Sequence, residues 1–208
     1  MKLRDLLFEE LLAEVKGENL LLLDVDDTLV ITQNIYIYRK LPSDIKEVKL
    51  TPKQYAKEKI TADSKKYYDY RDFRNPDTVA NSIKTGIPIV SNLKIMDEYI
   101  KKGWKIGVLT ARGMEQVVFE ALRVWLKYKN LKGELKDIGD KMVRELVHAI
   151  NDDERHYAGG TDFEKKANVI KDLSKKYDKI IFIDDDQKNL DIVKELGLKN
   201  VQVKKAEK

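Results

Sequence analysis

The chain has 208 residues, of which 42% are apolar, with two histidines, no cysteine and a formal net charge of +4. That excludes a disulfide scaffold, a thiol nucleophile and a Cys- or His-rich metal site, so any chemistry must run on carboxylates, lysines and hydroxyls. No apolar run approaches the roughly 18 residues of a membrane span, and residues 1–16 carry acids through their apolar stretch without a small-residue cleavage site, so the expectation is a cytoplasmic protein with no membrane partner.

In chain order, Leu3, Leu7, Leu11 and Val15 recur near helical spacing before Gly17, which predicts an amphipathic helix over 2–15. Leu20 to Leu23 is a short unbroken apolar run ending in acids, the pattern of a strand buried on both faces. The segment 31–90 then breaks the rhythm and reads as an insertion within one domain spanning 1–208. It holds six of the ten tyrosines. Within 31–74, eleven Lys/Arg face six Asp/Glu, so the basic excess of the whole chain sits there. Its IYIYRK and EVKL stretches read as hairpin strands, and Thr51 followed by Pro52 predicts a short helix over 52–59. Beyond it, Trp104 to Leu109 reads as a strand, and Met114, Val117, Val118, Ala121, Leu122 and Trp125 trace one face of a helix. Residues 143–150 read as a strand, with a helix end as the alternative. A helix over 164–176, a strand Ile180 to Ile183, a helix over 187–196 and a strand Val201 to Val203 complete the pattern. This βαβα alternation predicts a three-layer, Rossmann-like α/β fold with a mainly parallel sheet.

The sharpest signal is LLLDVDDTLV at residues 21–30. It delivers Asp24 and Asp26 to the carboxyl end of a strand, where open parallel sheets bind ligands. One carboxylate can attack while the other moves a proton. KIGVLTAR places Thr110 at a second strand end with Arg112 two residues on. EKKANVI offers Lys165 and Lys166 near a helix start. IIFIDDDQKNL places Asp184, Asp185 and Asp186 at a third strand end, with Asn189 following. Nucleophile, acid/base, hydroxyl, cation and acidic metal site form the inventory that phosphoryl transfer needs.

These four elements resemble the motifs of the haloacid dehalogenase superfamily, and the resemblance covers residues 18–203 apart from the insertion. It implies that Asp24 attacks phosphorus to give an aspartyl-phosphate, that Asp26 serves as acid and then base, and that Thr110 holds phosphoryl oxygens. It implies Lys166 as the catalytic lysine, preferred to Lys165 for the spacing to Val169 and Ile170. Mg²⁺, a hard cation suited to oxygen, would be held by Asp24, the carbonyl of Asp26 and Asp185, with Asp184 supporting them. The chain is similar to the phosphatase half of polynucleotide kinase–phosphatases and to small phage-type members of the superfamily. The function so implied is a phosphomonoesterase acting on 3′-phosphate at single-stranded nucleic-acid ends. The alternatives are a nucleotidase or other small-metabolite phosphatase, and a non-catalytic nucleic-acid-binding module.

Substrate contacts are expected from Thr28, Arg112 and Asn189, although Thr28 could instead brace its turn and Arg112 could be a surface residue. In the insertion, Lys53, Lys57, Lys65, Lys66 and Arg71 could follow a phosphate backbone while Tyr67, Tyr68 and Tyr70 stack on bases. The competing reading is that these tyrosines pack a small flap. Asp186 reads as a helix cap, Lys165 as a solvated neighbour, His148 and His156 as core or surface residues, and Gly159-Gly160 as a hinge.

Overall fold

A computed structural model describes residues 17–207 apart from 56, 60, 62, 129–137 and 153–155; for Lys65 and Tyr128 it describes the backbone alone. Strand β1 (Asn19–Leu23) leads into a segment holding β2 (Val30–Ile31), β3 (Ile37–Arg39), β4 (Val48–Leu50), helix α1 (Pro52–Tyr55), β5 (Tyr68–Asp69), α2 (Pro76–Lys84), β6 (Ile87–Pro88) and α3 (Val90–Lys101). Strands and helices then alternate through β7 (Lys105–Thr110), α4 (Glu115–Tyr128), β8 (Val147–Ala149), α5 (Asp162–Leu173), β9 (Lys179–Asp184), α6 (Gln187–Glu195) and β10 (Val201–Lys205). The helix expected over 2–15 lies outside the described residues. None of the described helices is long and apolar enough to cross a membrane.

β1 is the middle strand of a five-stranded sheet in the order β10-β9-β1-β7-β8, parallel throughout. Its leucines alternate between two cores, as the two-residue period of a strand requires. Leu21 and Leu23 pack with α2, α3 and α4 through Val79, Ile83, Leu93, Met96 and Trp125. Leu20 and Leu22 pack with α5 and α6 through Ile170, Leu173, Leu190 and Val193. The result is a three-layer, Rossmann-like α/β architecture. From β1 the chain moves outward through β7 to β8, then returns to β9 on the other side and continues to β10. The direction therefore switches between β1 and β9, and the crevice at such a switch is where parallel sheets bind ligands.

The 31–90 segment divides in two. Its expected hairpin is present as the antiparallel pair β3 and β4, with β5 on the other edge of β3. These strands share a small core of Ile37, Leu50 and Tyr68, against which Tyr55, Tyr67, Tyr70 and Phe73 pack. α2 and α3, which the sequence pattern did not predict, instead join the main core. A local signal for α2 does exist: Asn75 caps it by accepting from the Thr78 N–H, and Pro76 occupies its first turn. Residues 143–150 combine the two readings, a 3₁₀ turn at Arg144–Leu146 followed by the three-residue β8. The helix starting near 164 begins earlier, at Asp162, because Thr161 and Glu164 form a reciprocal capping box.

Asn92 on α3 ties distant parts of the chain together. Its amide donates to the carbonyls of Thr28 (2.7 Å) and Glu207 (2.9 Å), and its oxygen accepts from the Glu207 N–H (3.1 Å).

The backbones approach closely at Gly107, at the centre of β7. A Cβ there would lie 2.9 Å from the Leu146 carbonyl oxygen and 2.9 Å from Leu22 Cδ1. Leu22 can turn, but a backbone carbonyl cannot. Gly107→Ala is therefore expected to cost about 1–3 kcal/mol, the range of an overpacked core. Urea unfolding would read this as a lower midpoint at unchanged slope.

Candidate functional site

The ladder between β1 and β9 continues one residue past β1, because the Asp24 N–H donates to the Ile183 carbonyl at 2.9 Å. That pairing sets the Asp24 carboxylate beside Asp184 at the switch point. Facing both is Lys166, on the buried side of α5 with Ala167, Val169 and Ile170. Its Nζ donates to Asp24 Oδ1 and to Asp184 Oδ2, each at 2.8 Å. Asp184 is held from two further points: Asn189 Nδ2 donates to Oδ2 (2.9 Å), and the Asp186 N–H donates to Oδ1 (2.8 Å). Asp186 itself caps α6 by accepting from the Lys188 N–H. Lys165, one residue from Lys166, turns the other way and donates to Asn151 Oδ1 (2.7 Å). Between the two lysines, the buried ion pairs belong to Lys166.

Burial pushes the Asp24 carboxyl well above the usual carboxylate range. Lys166 opposes the rise, while the neighbouring Asp184 and Asp26 add to it. For Lys166, burial works to lower the pKa, but Asp24 and Asp184 together raise it above that of a free lysine. One ammonium thus serves a cluster of carboxylates that want a further positive charge. Asp24, Asp184 and the half-buried Asp185 present oxygens that all lie within 4.8 Å of one another. Asn189 Oδ1 is buried beside them without a hydrogen-bond partner. An all-oxygen donor set of this density suits a hard divalent cation such as Mg²⁺. Asp185 also receives Lys205, whose ammonium bonds to its backbone carbonyl.

Asp26 sits on a tight reversal in which the N–H groups of Thr28, Leu29 and Val30 all point at the Val25 carbonyl. Asp27 takes a left-handed φ of 56° there, a conformation Asp tolerates better than most residues. The Asp26 carboxylate is gripped on both oxygens by Arg112, with Nε to Oδ2 and Nη2 to Oδ1 at 2.8 Å each. Thr32 Oγ1 adds a third bond to Oδ1, also at 2.8 Å. Burial works to raise the Asp26 pKa, but Arg112 and Thr32 outweigh it and hold the carboxyl below its ordinary value. Arg112 is 2% exposed and spends its remaining nitrogen on Ser82 Oγ (3.0 Å). Arg112, expected to contact substrate, is not a surface residue: it directs most of its donors to Asp26 and α2, and it also lines a cavity.

Two cavities, of about 560 and 710 Å³, meet at Asp26 and Pro52. The smaller is bounded by Lys53, Thr32 and the start of α3, the larger by the insertion on one side and by Arg112, Asn151 and Lys165 on the other. Thr110 is fully buried behind them, its hydroxyl accepting from the Arg112 N–H at 3.3 Å. Thr28 is also fully buried, with its hydroxyl unpartnered. Neither it nor Asn189, which bonds to Asp184, reaches an open surface.

The insertion residues differ in their surroundings. Tyr68 is a core residue whose hydroxyl donates to Glu58 (3.0 Å), and Arg71 is paired with Glu47 and Asp69 while stacking 3.6 Å from the Tyr38 ring centroid. Both therefore have partners within the flap itself. Tyr70 and Lys53 line the cavities, whereas Tyr67 is half-buried with Lys66 over its ring. Lys57 is exposed, and the Lys65 side chain lies outside what is described. Sequence reasoning missed Thr32, Ser82, Tyr55, Phe73 and Arg74. Only Arg74, next to the Asn75-Pro76 helix start, carried a local signal.

No protein-family model matches the chain, and no curated protein or solved structure matches it. The functional reading therefore rests on the chain's own residues.

Two outcomes follow from the site's electrostatics. Mg²⁺ is expected to stabilise chelator-treated protein, by about 2.7 kcal/mol at a hundredfold excess over Kd and rising further with the logarithm of concentration, read as a higher melting temperature. Asp185→Asn should weaken that response, as scanning calorimetry would detect. Because the Asp26 pKa is lowered on folding, its contribution is present at neutral pH and is lost as pH falls through its folded value. Arg112→Met should remove that contribution, giving lower stability at pH 7 and a smaller difference from wild type in acid.

Proposed function

We propose that the protein is a Mg²⁺-dependent phosphomonoesterase acting through an aspartyl-phosphate on Asp24. The observation that carries this reading is the Lys166 ammonium bonded at once to Asp24 and Asp184 beside Asp185. A carboxylate placed to attack a phosphate anion must be shielded from that anion's charge. Lys166 supplies one positive charge and fixes the attacking carboxylate's direction. Mg²⁺, held by Asp24, Asp185 and the Asp26 carbonyl with Asp184 in support, would supply the rest of the charge neutralisation.

In this mechanism Asp24 attacks phosphorus, the bond to the leaving oxygen breaks, and Asp26 provides the proton that oxygen takes up. Asp26 then removes a proton from water as water attacks the aspartyl-phosphate, releasing phosphate and regenerating Asp24. The grip of Arg112 on both Asp26 oxygens favours the ionised form, which the second step needs; the first step draws on the protonated form, which the same grip keeps scarce, so proton donation requires Asp26 to loosen from Arg112. Thr110 and the backbone amides after Asp24 are the groups assigned to the phosphoryl oxygens.

For the substrate, the reading carried forward is a 3′-phosphate at a nucleic-acid end. Its support is the insertion's cations: Lys53, Lys57 and Lys66 make no ion pair among the described residues. A small-molecule phosphomonoester is the second reading, favoured by the internal commitment of Tyr68 and Arg71. A phosphate-release panel at varied salt separates them. A strand gripped by the insertion loses affinity with a log–log slope of roughly −0.7 per phosphate contacted, whereas a small ester responds weakly.

Asp24→Asn is expected to abolish phosphate release, and more than a few per cent of residual activity would sink the nucleophile assignment. Asp26→Asn should slow turnover on the order of 10²–10⁴, as for loss of a general acid/base. The loss should be greater for alkyl than for nitrophenyl phosphates, whose leaving groups need no proton. Initial rates on the two ester classes would check this.

A further inference from the structure

The larger cavity has a composition the proposed reaction does not use. On the insertion side it is walled by Tyr55, Tyr70 and Phe73. The Tyr55 and Tyr70 hydroxyls hydrogen-bond to each other, so their polar ends are satisfied and what they offer a ligand is ring surface. The charged groups around the cavity are mostly spent. Asp26 is held by Arg112, Asp162 accepts from Asn151 Nδ2 (3.0 Å), and Asp152 accepts from the Glu115 N–H. Arg74 and Lys165 also line the space, together with His156, and make no ion pair among the described residues. Arg74, at the end of the 3₁₀ turn Arg71–Arg74, is exposed and has no partner among the described residues. Lys165 bonds only to a neutral amide oxygen. A volume of about 710 Å³ falls within the roughly 300–1,000 Å³ of sites that enclose a small organic ligand.

Resting on the phosphomonoesterase reading, we infer that this cleft is the leaving-group site and that it selects a leaving group carrying a planar ring and a second anionic group. The ring lies against Tyr55, Tyr70 and Phe73, and the second anion lies between Arg74 and Lys165. The chemical unit is a nucleoside bearing two phosphates, one presented to Asp24 and one held at the far end. A free nucleoside bisphosphate and the phosphorylated end nucleotide of a strand both contain that unit.

The test compares kcat/KM for glycerol phosphate, adenosine 3′-monophosphate, adenosine 3′,5′-bisphosphate and a 3′-phosphorylated tetranucleotide, all with Mg²⁺. The expected order places the bisphosphate above the monophosphate and the monophosphate above glycerol phosphate. Arg74→Gln should cut the bisphosphate-to-monophosphate ratio about tenfold, the scale of a hydrogen bond to a charged group, and Arg74→Lys should restore part of it. Tyr70→Leu should lower both nucleotides relative to glycerol phosphate, while Lys199→Gln, remote from the cleft, should leave every ratio as it was. A ratio that Arg74→Gln does not move, or a wild-type enzyme indifferent to ring and second phosphate, overturns the inference. Similar values for tetranucleotide and bisphosphate support a strand end as the source of the unit, and a much poorer tetranucleotide supports the free nucleotide. Calorimetric binding of the bisphosphate to Asp24→Asn protein separates the two readings. If no ester releases phosphate, the phosphomonoesterase reading falls, and Arg74-dependent binding still decides for or against the cleft.

Discussion

A lysine ammonium with almost no access to water, shared between two carboxylates from different strands, sets the terms for the rest of this molecule. Burying such a charge is costly unless it is paired. The Lys166 site meets that condition only because β1 and β9 are adjacent and in register, so that Asp24 and Asp184 arrive side by side. The helix that carries Lys166 must also start at a fixed place, and the Thr161–Glu164 capping box supplies that start. Sheet order, helix cap and ion cluster are thus one constraint seen at three scales. Breaking any of them would leave a charge buried without its partner.

The same cluster explains which parts of the protein are legible in its sequence. Strand-end acids, a helical lysine pair and unbroken apolar strands are local patterns, so the amino-acid order alone singles out Asp24, Asp184 and Asp185 and narrows the lysine to Lys165 or Lys166, and the five parallel strands follow from their apolar runs. What local pattern does not carry is where side chains point when two readings share one spacing. Thr28 and Asn189 lie at the right strand and helix ends, yet packing turns one into a closed turn and the other under Asp184. Arg112 sits beside Thr110 as expected, but its partner is 86 residues away, and nothing local announces it. In the 31–90 segment, composition marks an unusual stretch and cannot distinguish its core tyrosines from its lining ones. That division depends on a three-stranded sheet whose pairings are themselves non-local.

Arg112 connects two parts of the protein that lie far apart in the chain. It fixes the Asp26 carboxylate with one side of its guanidinium and reaches Ser82 on α2 with the other. α2 follows directly on the turn that bears Phe73 and Arg74. The orientation of the Asp26 carboxylate and the position of α2 are therefore tied to a single planar group. Lysine, with its single flexible point of charge, could not hold both in the same geometry.

Asn92 has a consequence for how the protein is made. The turn that carries Asp26 and Thr28 is completed by an amide that also needs Glu207, 115 residues further along the chain. During synthesis the first strand and its acids leave the ribosome early, while the backbone that satisfies the rest of that amide follows only after β10. Domains fold as units once their sequence is available, and here the unit closes only when the chain has passed its fifth parallel strand. Until then the acidic loop's clamp lacks its Glu207 partners, and Asp184 and Asp185, which complete the cluster around Asp24, have themselves only just been made.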